Sequence, residues 1–477
     1  MTRPGSRMID VELVGDAPDD APDDPPQRPN ASRRTRHPRR RVLGAAAVLV
    51  LVVALGSAVR AERVPSDAER RDDTEVAAFA AVPGVAPSLR EPLTERWRLA
   101  WPGSIVGDLV LAQESVDGAP RTVAREAGTG DRRWVAPVWL DADGRRPDCS
   151  VTTADGSLLL CEVPGEPGQG GPTTDAELGG SPDVLAALRT SDGQVVTQWS
   201  MGTTSIGWAV TDDDVVLATR DGATGHVQRW TAADGPWRSR WQASVPLTTG
   251  VLAREVALSV DDGLAVLSGP VAGVLDVETG AVLGTWTSER GRLPVRVATS
   301  SAGFAVWTGA DEGIWHDRAG APGARLPGDP VRVAVDDGSY PRVVLVQADA
   351  ALLAVDVDDG VLWEWPAITA VPMRLDGMVV VQDGAVLRVL DLRSGQEVWF
   401  ADGSATSPDG LPITDGLRLL VGDASGNGQG DAAPWVTARD LHTGQPLWTT
   451  ALPRDVISVS VGDGVLVRLA DRVALYR

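Results

Sequence analysis

An all-β fold built from a repeated unit of about forty residues, carried behind one membrane-spanning helix, is what this sequence predicts. Three observations carry that expectation. From Thr94 onward, apolar runs of four to eight residues alternate with Asp-Gly, Asp-Asp-Gly or Thr-Gly punctuation. A phrase ending in tryptophan recurs along the same stretch, as in DLRSGQEVW (Asp391 to Trp399) and DLHTGQPLW (Asp440 to Trp448). Ahead of both, VLGAAAVLVLVVALGSAV, Val42 to Val59, runs for eighteen residues without a charge.

In chain order, residues 1–41 come first, with the acidic, Pro-rich DAPDDAPDDPP (Asp16 to Pro26) and the basic RRTRHPRRR (Arg33 to Arg41). Neither holds enough apolar surface to offset ordering entropy, so 1–41 is expected to be a disordered cytoplasmic tail. The run 42–59 would make a helix of about 27 Å, close to the roughly 30 Å hydrocarbon core. Arginines just ahead of it keep the N-terminus in the cytoplasm and place the rest outside. A cleaved signal peptide is the rival: VRA (Val59 to Ala61) fits a peptidase site and RRRVL (Arg39 to Leu43) a twin-arginine signal. The long n-region and long apolar run favour retention, and both readings export the body. Residues 60–93, rich in Ala, Pro and charge without a sustained period, read as an extracytoplasmic stalk.

The body is large and acidic. Hydrophobic residues make up 43% of the 477, enough for a substantial core. Residues 1–41 carry nine Arg against seven acids, which leaves 35 Arg against 58 acids in the remainder. Such a charge repels phosphate backbones, so no nucleic-acid partner is expected. The basic residues are all arginine, a compositional trait without functional weight.

Moving upstream, the repeated phrase returns as VDVDDGVLWEW, LDVETGAVLGTW, RWTAADGPWRSRW, LRTSDGQVVTQW and AREAGTGDRRW. These end at Trp365, Trp286, Trp241, Trp199 and Trp134, alongside Trp399 and Trp448, and a worn copy ends at Leu326. Within 366–400 the unit reads as four short strands, ITAVPMRL, MVVVQ, VLRVLDL and QEVWF. Four antiparallel strands in a unit of that length is the pattern of a β-propeller blade. Gly395 or Gly444 supplies the positive φ of a tight hairpin, and Asp391 or Asp440 accepts backbone hydrogen bonds. The seven tryptophans fall on the fourth, outer strand, placed to dock on the neighbouring blade.

The pattern LD-x-x-TG-x-x-x-W resembles the tryptophan-docking repeat of the PQQ-binding-like, or quinoprotein alcohol dehydrogenase-like, β-propellers over about residues 94–477. That resemblance implies eight blades, whereas the copies number eight internal units plus one composite; eight blades are expected, with one unit misread. The composite joins ISVSVGDGVLVRLADRVALYR (Ile457 to Arg477) to ERWRLAW (Glu95 to Trp101), closing the sheet edges. The family's quinone enzymes use a vicinal Cys pair, a calcium held by Glu, Asn and Asp, and a catalytic Asp. Here no two cysteines are adjacent and no c-type haem motif occurs, so a non-enzymatic member is expected, without quinone, catalytic residues or metal ligands. His226, His316 and His442 lie in three separate repeats and read as turn or surface residues.

Cys149 and Cys161 flank TADGS almost symmetrically, which sets them opposite each other on adjacent strands as a disulfide stable outside the cytoplasm; two buried thiols are the alternative. In DASGNGQGDAAP, alternating polar residues from Asp423 to Asp431 imitate an EF-hand loop, but Pro434 stands where the bidentate Glu belongs. A plain polar loop is the better reading, and calcium there the weaker one. The longest loops, 164–183 and 423–434 between second and third strands and 137–148 and 401–412 between blades, share one face, where a partner site is expected. The expected function is a membrane-anchored scaffold in the cell envelope that binds envelope or membrane proteins or a ligand. A PQQ-dependent oxidoreductase and a structural or polymer-binding envelope protein are the alternatives.

Overall fold

Tight Asp-Gly turns set the local structure. Val116 pairs with Ala119, Asp261 with Leu264 and Leu375 with Met378, so each hairpin closes on two residues. Asp117, Asp262 and Asp376 have φ of 53°, 53° and 49°, and the glycines after them are also at positive φ. Two successive left-handed residues give the turn whose twist matches the flanking strands.

The computed structural model describes residues 74–477 apart from short stretches, the longest being 138–147, 164–182, 248–255 and 423–434. The tail 1–41, the expected span 42–59 and the start of the expected stalk lie outside the described residues. Among the described residues, no helix is long and apolar enough to cross a membrane.

Among the described residues the strands form nine sheets of at least four strands each. The first eight fall within 103–135, 148–202, 205–246, 257–287, 296–326, 329–365, 370–402 and 404–451. The ninth joins Val456–Val461, Val465–Leu469 and Val473–Tyr476 to Glu95–Leu99. Among the described residues strand pairing within the sheets is antiparallel except where Val335–Asp336 adds in parallel to Ala370–Leu375 in the seventh sheet. Thr94 and Arg477 exchange two backbone hydrogen bonds at the join of the ninth.

Second strands carry unbroken apolar runs, such as Leu264–Leu267 and Leu158–Cys161, and those runs are buried. Both their faces are covered, so nothing forces the alternation of a half-solvated strand. Their side chains fill nine core clusters, one at each joint between successive sheets. The joint between the first sheet and the second is typical: Leu109, Leu111 and Trp134 meet Leu159, Cys161 and Leu188 there. Val473 and Leu475 meet Val110 and Ala127 between the ninth sheet and the first, which closes the cycle. Four-stranded sheets in closed succession are the arrangement of a β-propeller.

Two expectations change. Among the described residues nine sheets stand beside the eight blades expected, and even the worn copy ending at Leu326 builds a four-stranded sheet, with Leu326 buried at the next joint. The expected stalk also differs in its described part. Residues 74–79 are helical, and Phe79, Val82 and Val85 pack on the joint between the seventh and eighth sheets. Ala86, Leu89 and Leu93 are buried at the next joint. In the sequence, prolines at 83, 87 and 92 punctuate these apolar positions and break any sustained period, which is why the stretch reads as a linker.

Candidate binding cleft

The repeated phrase builds the joints. Asp391 Oδ1 accepts from Ser394 N at 2.8 Å and Ser394 Oγ at 2.7 Å, and Asp440 Oδ1 accepts from Thr443 N and Oγ1, both at 2.8 Å. These bonds hold the Asp391 carboxyl below its ordinary value, the Ser394 hydroxyl contributing most. Each turn then brings Gly395 or Gly444 to positive φ, face-on to the tryptophan of the preceding sheet. A Cβ on Gly444 would sit 2.6 Å from the Trp399 ring. The Trp399 indole donates to Leu441 O at 2.7 Å, the carbonyl just after the turn's Asp. Trp134 donates likewise to Thr190 O and Trp241 to Val277 O, both at 2.7 Å, and Trp448 donates to Leu89 O at 2.8 Å.

The docking assignment needs one correction and one addition. Trp363, not Trp365, docks the sixth sheet, donating to Leu392 O at 2.6 Å with its ring over Gly395. Asp356 pairs with Gly360, whereas Asp391 bonds Gln396, so this hairpin is one residue shorter and the docking register arrives earlier. Trp365 lies under the Arg388 guanidinium instead, 5.8 Å from the ring centroid. Trp97, on the lone strand from the N-terminal side, docks the ninth sheet on the first through Ala127 O at 2.8 Å.

Trp199 and Trp286 stand two residues past the docking register, which Thr197 and Gly284 occupy. Trp286 folds back over Gly284 and meets Phe304 and His316 of the next sheet, at centroid distances of 5.6 and 4.9 Å. Trp199 meets Trp230 and Trp237 edge-on at 4.6 and 5.6 Å. Both still cover a joint, by a different contact.

A second group of residues lies off the repeat. Where the first strands of the fourth to seventh sheets converge, a cleft of about 570 Å³ opens between Ser259–Asp262, Val297–Ser300, Val331–Ala334 and Asp336 with Arg374. The parallel addition of Val335–Asp336 brings Asp336 beside Arg374. Arg374 is buried; its Nε donates to Asp336 Oδ1 at 3.0 Å, its Nη2 to Asp336 Oδ2 and its Nη1 to Val343 O. Arg332 Nη2 donates to Asp261 Oδ2 at 3.0 Å across the opening.

Asp262 is left as the surplus charge. Its side chain reaches the mouth, but the surrounding atoms strip part of its water, and this desolvation holds its carboxyl above the ordinary value. The Asp336 and Asp261 charges push the same way, while Thr299 and Arg374 pull against them. Three carboxylates facing two guanidiniums leave a polar recess with a net negative bias. Such a recess suits a partner's basic or hydrogen-bond-donating group.

No family profile matches the sequence, and no curated protein matches it. Among solved structures, the chain is similar to BamB from Moraxella catarrhalis, at 15% identity over 81% of this chain and 100% of that one, with a TM-score of 0.42. It is also similar to a structure described as the eukaryotic initiation factor, at 12% identity over 78% of this chain and 91% of that one, with a TM-score of 0.48. A europium-containing methanol dehydrogenase matches at 12% identity over 79% and 84%, with a TM-score of 0.36.

Cys149 and Cys161 are registered partners on adjacent antiparallel strands of the second sheet and form a disulfide. His226 lies beside Ser244 in the third sheet, His316 stacks on Phe304 in the fifth, and His442 meets Asp376 at 2.8 Å beside the eighth. Burial holds the His316 imidazole below its ordinary value. Among the described residues no three His, Cys, Asp or Glu are grouped to hold a metal. The calcium-like loop from Asp423 to Asp431 lies outside the described residues, as does most of each long loop expected to carry the partner site. The cleft opens among turns between first and second strands, not at the second-to-third or blade-to-blade connections where the partner site was expected. Sequence reading missed it because DDG at 261–263 and at 336–338 looks like ordinary turn punctuation, and only the topology brings these turns together.

Proposed function

We propose that this chain is a membrane-anchored, extracytoplasmic β-propeller of nine blades that serves as a protein-interaction scaffold in the cell envelope. The cleft between the fourth and seventh sheets carries this reading: it gathers ionic side chains the repeat does not need, on strands held rigid by their neighbours. Its partner is an envelope or membrane protein that presents a basic or donor-rich segment. The apolar run at 42–59 behind a cluster of arginines supports the anchor, and the Cys149–Cys161 bridge suits an oxidising compartment. The Asp-turn and tryptophan pattern supports kinship with the PQQ-binding-like propellers.

The test fills the recess. In cells carrying the full chain, Thr299→Trp should remove the partners captured by surface crosslinking, while Trp365→Phe, away from the cleft, should leave them in place. Capture of the same partners by the Thr299→Trp protein would show that the cleft is not the site.

A further inference from the structure

The ninth sheet has an unusual problem. In the hydrogen-bonded tryptophan joints leading into the first, second, fourth, seventh and eighth sheets, the indole donates to a carbonyl in the hairpin between the third and fourth strands of the next sheet. In the ninth, those two strands are Val473–Tyr476 and Glu95–Leu99, from opposite ends of the fold, so no hairpin links them.

The segment ahead of Glu95 fills that place. Trp448, on the outer strand of the eighth sheet, donates to Leu89 O at 2.8 Å. Leu89 N donates in turn to Asp415 Oδ2 at 2.7 Å, and Asp415 is fully buried. Asp415 also receives Arg418 Nη1 at 2.9 Å and Arg418 N at 2.7 Å. Ala86 N donates to Thr414 O at 2.6 Å, and Val85 forms a parallel bridge with Thr414. Ala86, Leu89 and Leu93 are 4%, 1% and 5% exposed in the core shared with Leu420, Val465 and Tyr476.

We infer that the joint between the eighth and ninth sheets is a receptor for an extended peptide, and that residues 85–93 occupy it in place of the missing hairpin. The recognition chemistry is specific: a backbone carbonyl for the Trp448 indole, a backbone N–H for the buried Asp415 carboxylate, and apolar side chains at 86, 89 and 93.

The test uses the full chain with a specific protease site inserted between Glu91 and Pro92. After cleavage, the N-terminal fragment should stay bound through gel filtration. Excess labelled peptide of residues 74–91 should displace it, and the same peptide with Leu89→Asp should not. Immediate release of the fragment, or equal displacement by both peptides, would overturn the inference. In the uncut chain, Leu89→Asp should speed amide exchange at least tenfold at Ile413–Arg418 and Pro446–Ala451, with Ala257–Ser268 unchanged. A uniform change, or none, would equally contradict it.

Discussion

The Trp399 indole nitrogen meets a buried carbonyl, Leu441 O, while the Trp365 ring lies under an arginine; the two residues carry different weights. Trp399→Phe leaves the carbonyl unmet and should cost about 1–3 kcal/mol in chemical denaturation. Trp365→Phe should stay within about 0.5 kcal/mol. The Asp391 carboxyl is held low, so its contribution is present above the ordinary carboxylate range and is lost as pH falls through the depressed value. Asp391→Ala should therefore lower stability by about 1 kcal/mol near neutrality and progressively less in acid. Asp262 has the opposite sign: its carboxyl is held high, so ionisation costs stability. Asp262→Asn should raise the melting temperature at neutral pH, and the gain should vanish below the ordinary carboxylate range. The turn residues were legible in the sequence because each acts within its own hairpin. Asp262 was not, because its raised carboxyl depends in part on Asp336, which lies far along the chain.

Each sheet depends on its neighbours for both faces, and the second has a covalent addition. The bridge closes a loop with a sequence separation of 12 and joins two registered strands. Reduction should cost about 2–3 kcal/mol and speed amide exchange first at Asp148–Val151 and Leu158–Val163. The symmetric placement about TADGS made this pairing readable, since a hairpin sets its own register. Register also explains the misassigned tryptophan: Trp363 and Trp365 differ by two residues on one strand and so share a face, and only the shorter hairpin at Asp356–Gly360 decides which docks. Residues 79–93 were unreadable for a related reason, since Leu89 meets its partners more than three hundred residues away and nothing local announces them.

At the scale of the whole molecule, the tryptophans and Asp turns hold the cycle of sheets together, and the cleft among the fourth to seventh sheets is where a partner is expected. The repeat told of blades and their joints, but the cleft arises only where four first strands converge. The measurement that tests this account most directly is photocrosslinking in intact cells, with a photoreactive residue at Arg332 beside the cleft in one strain and at the exposed Phe400 on an outer strand in another. The account predicts a discrete, recurrent protein adduct from position 332 and none from position 400. The same adducts from both positions, or an adduct from 400 alone, would contradict it.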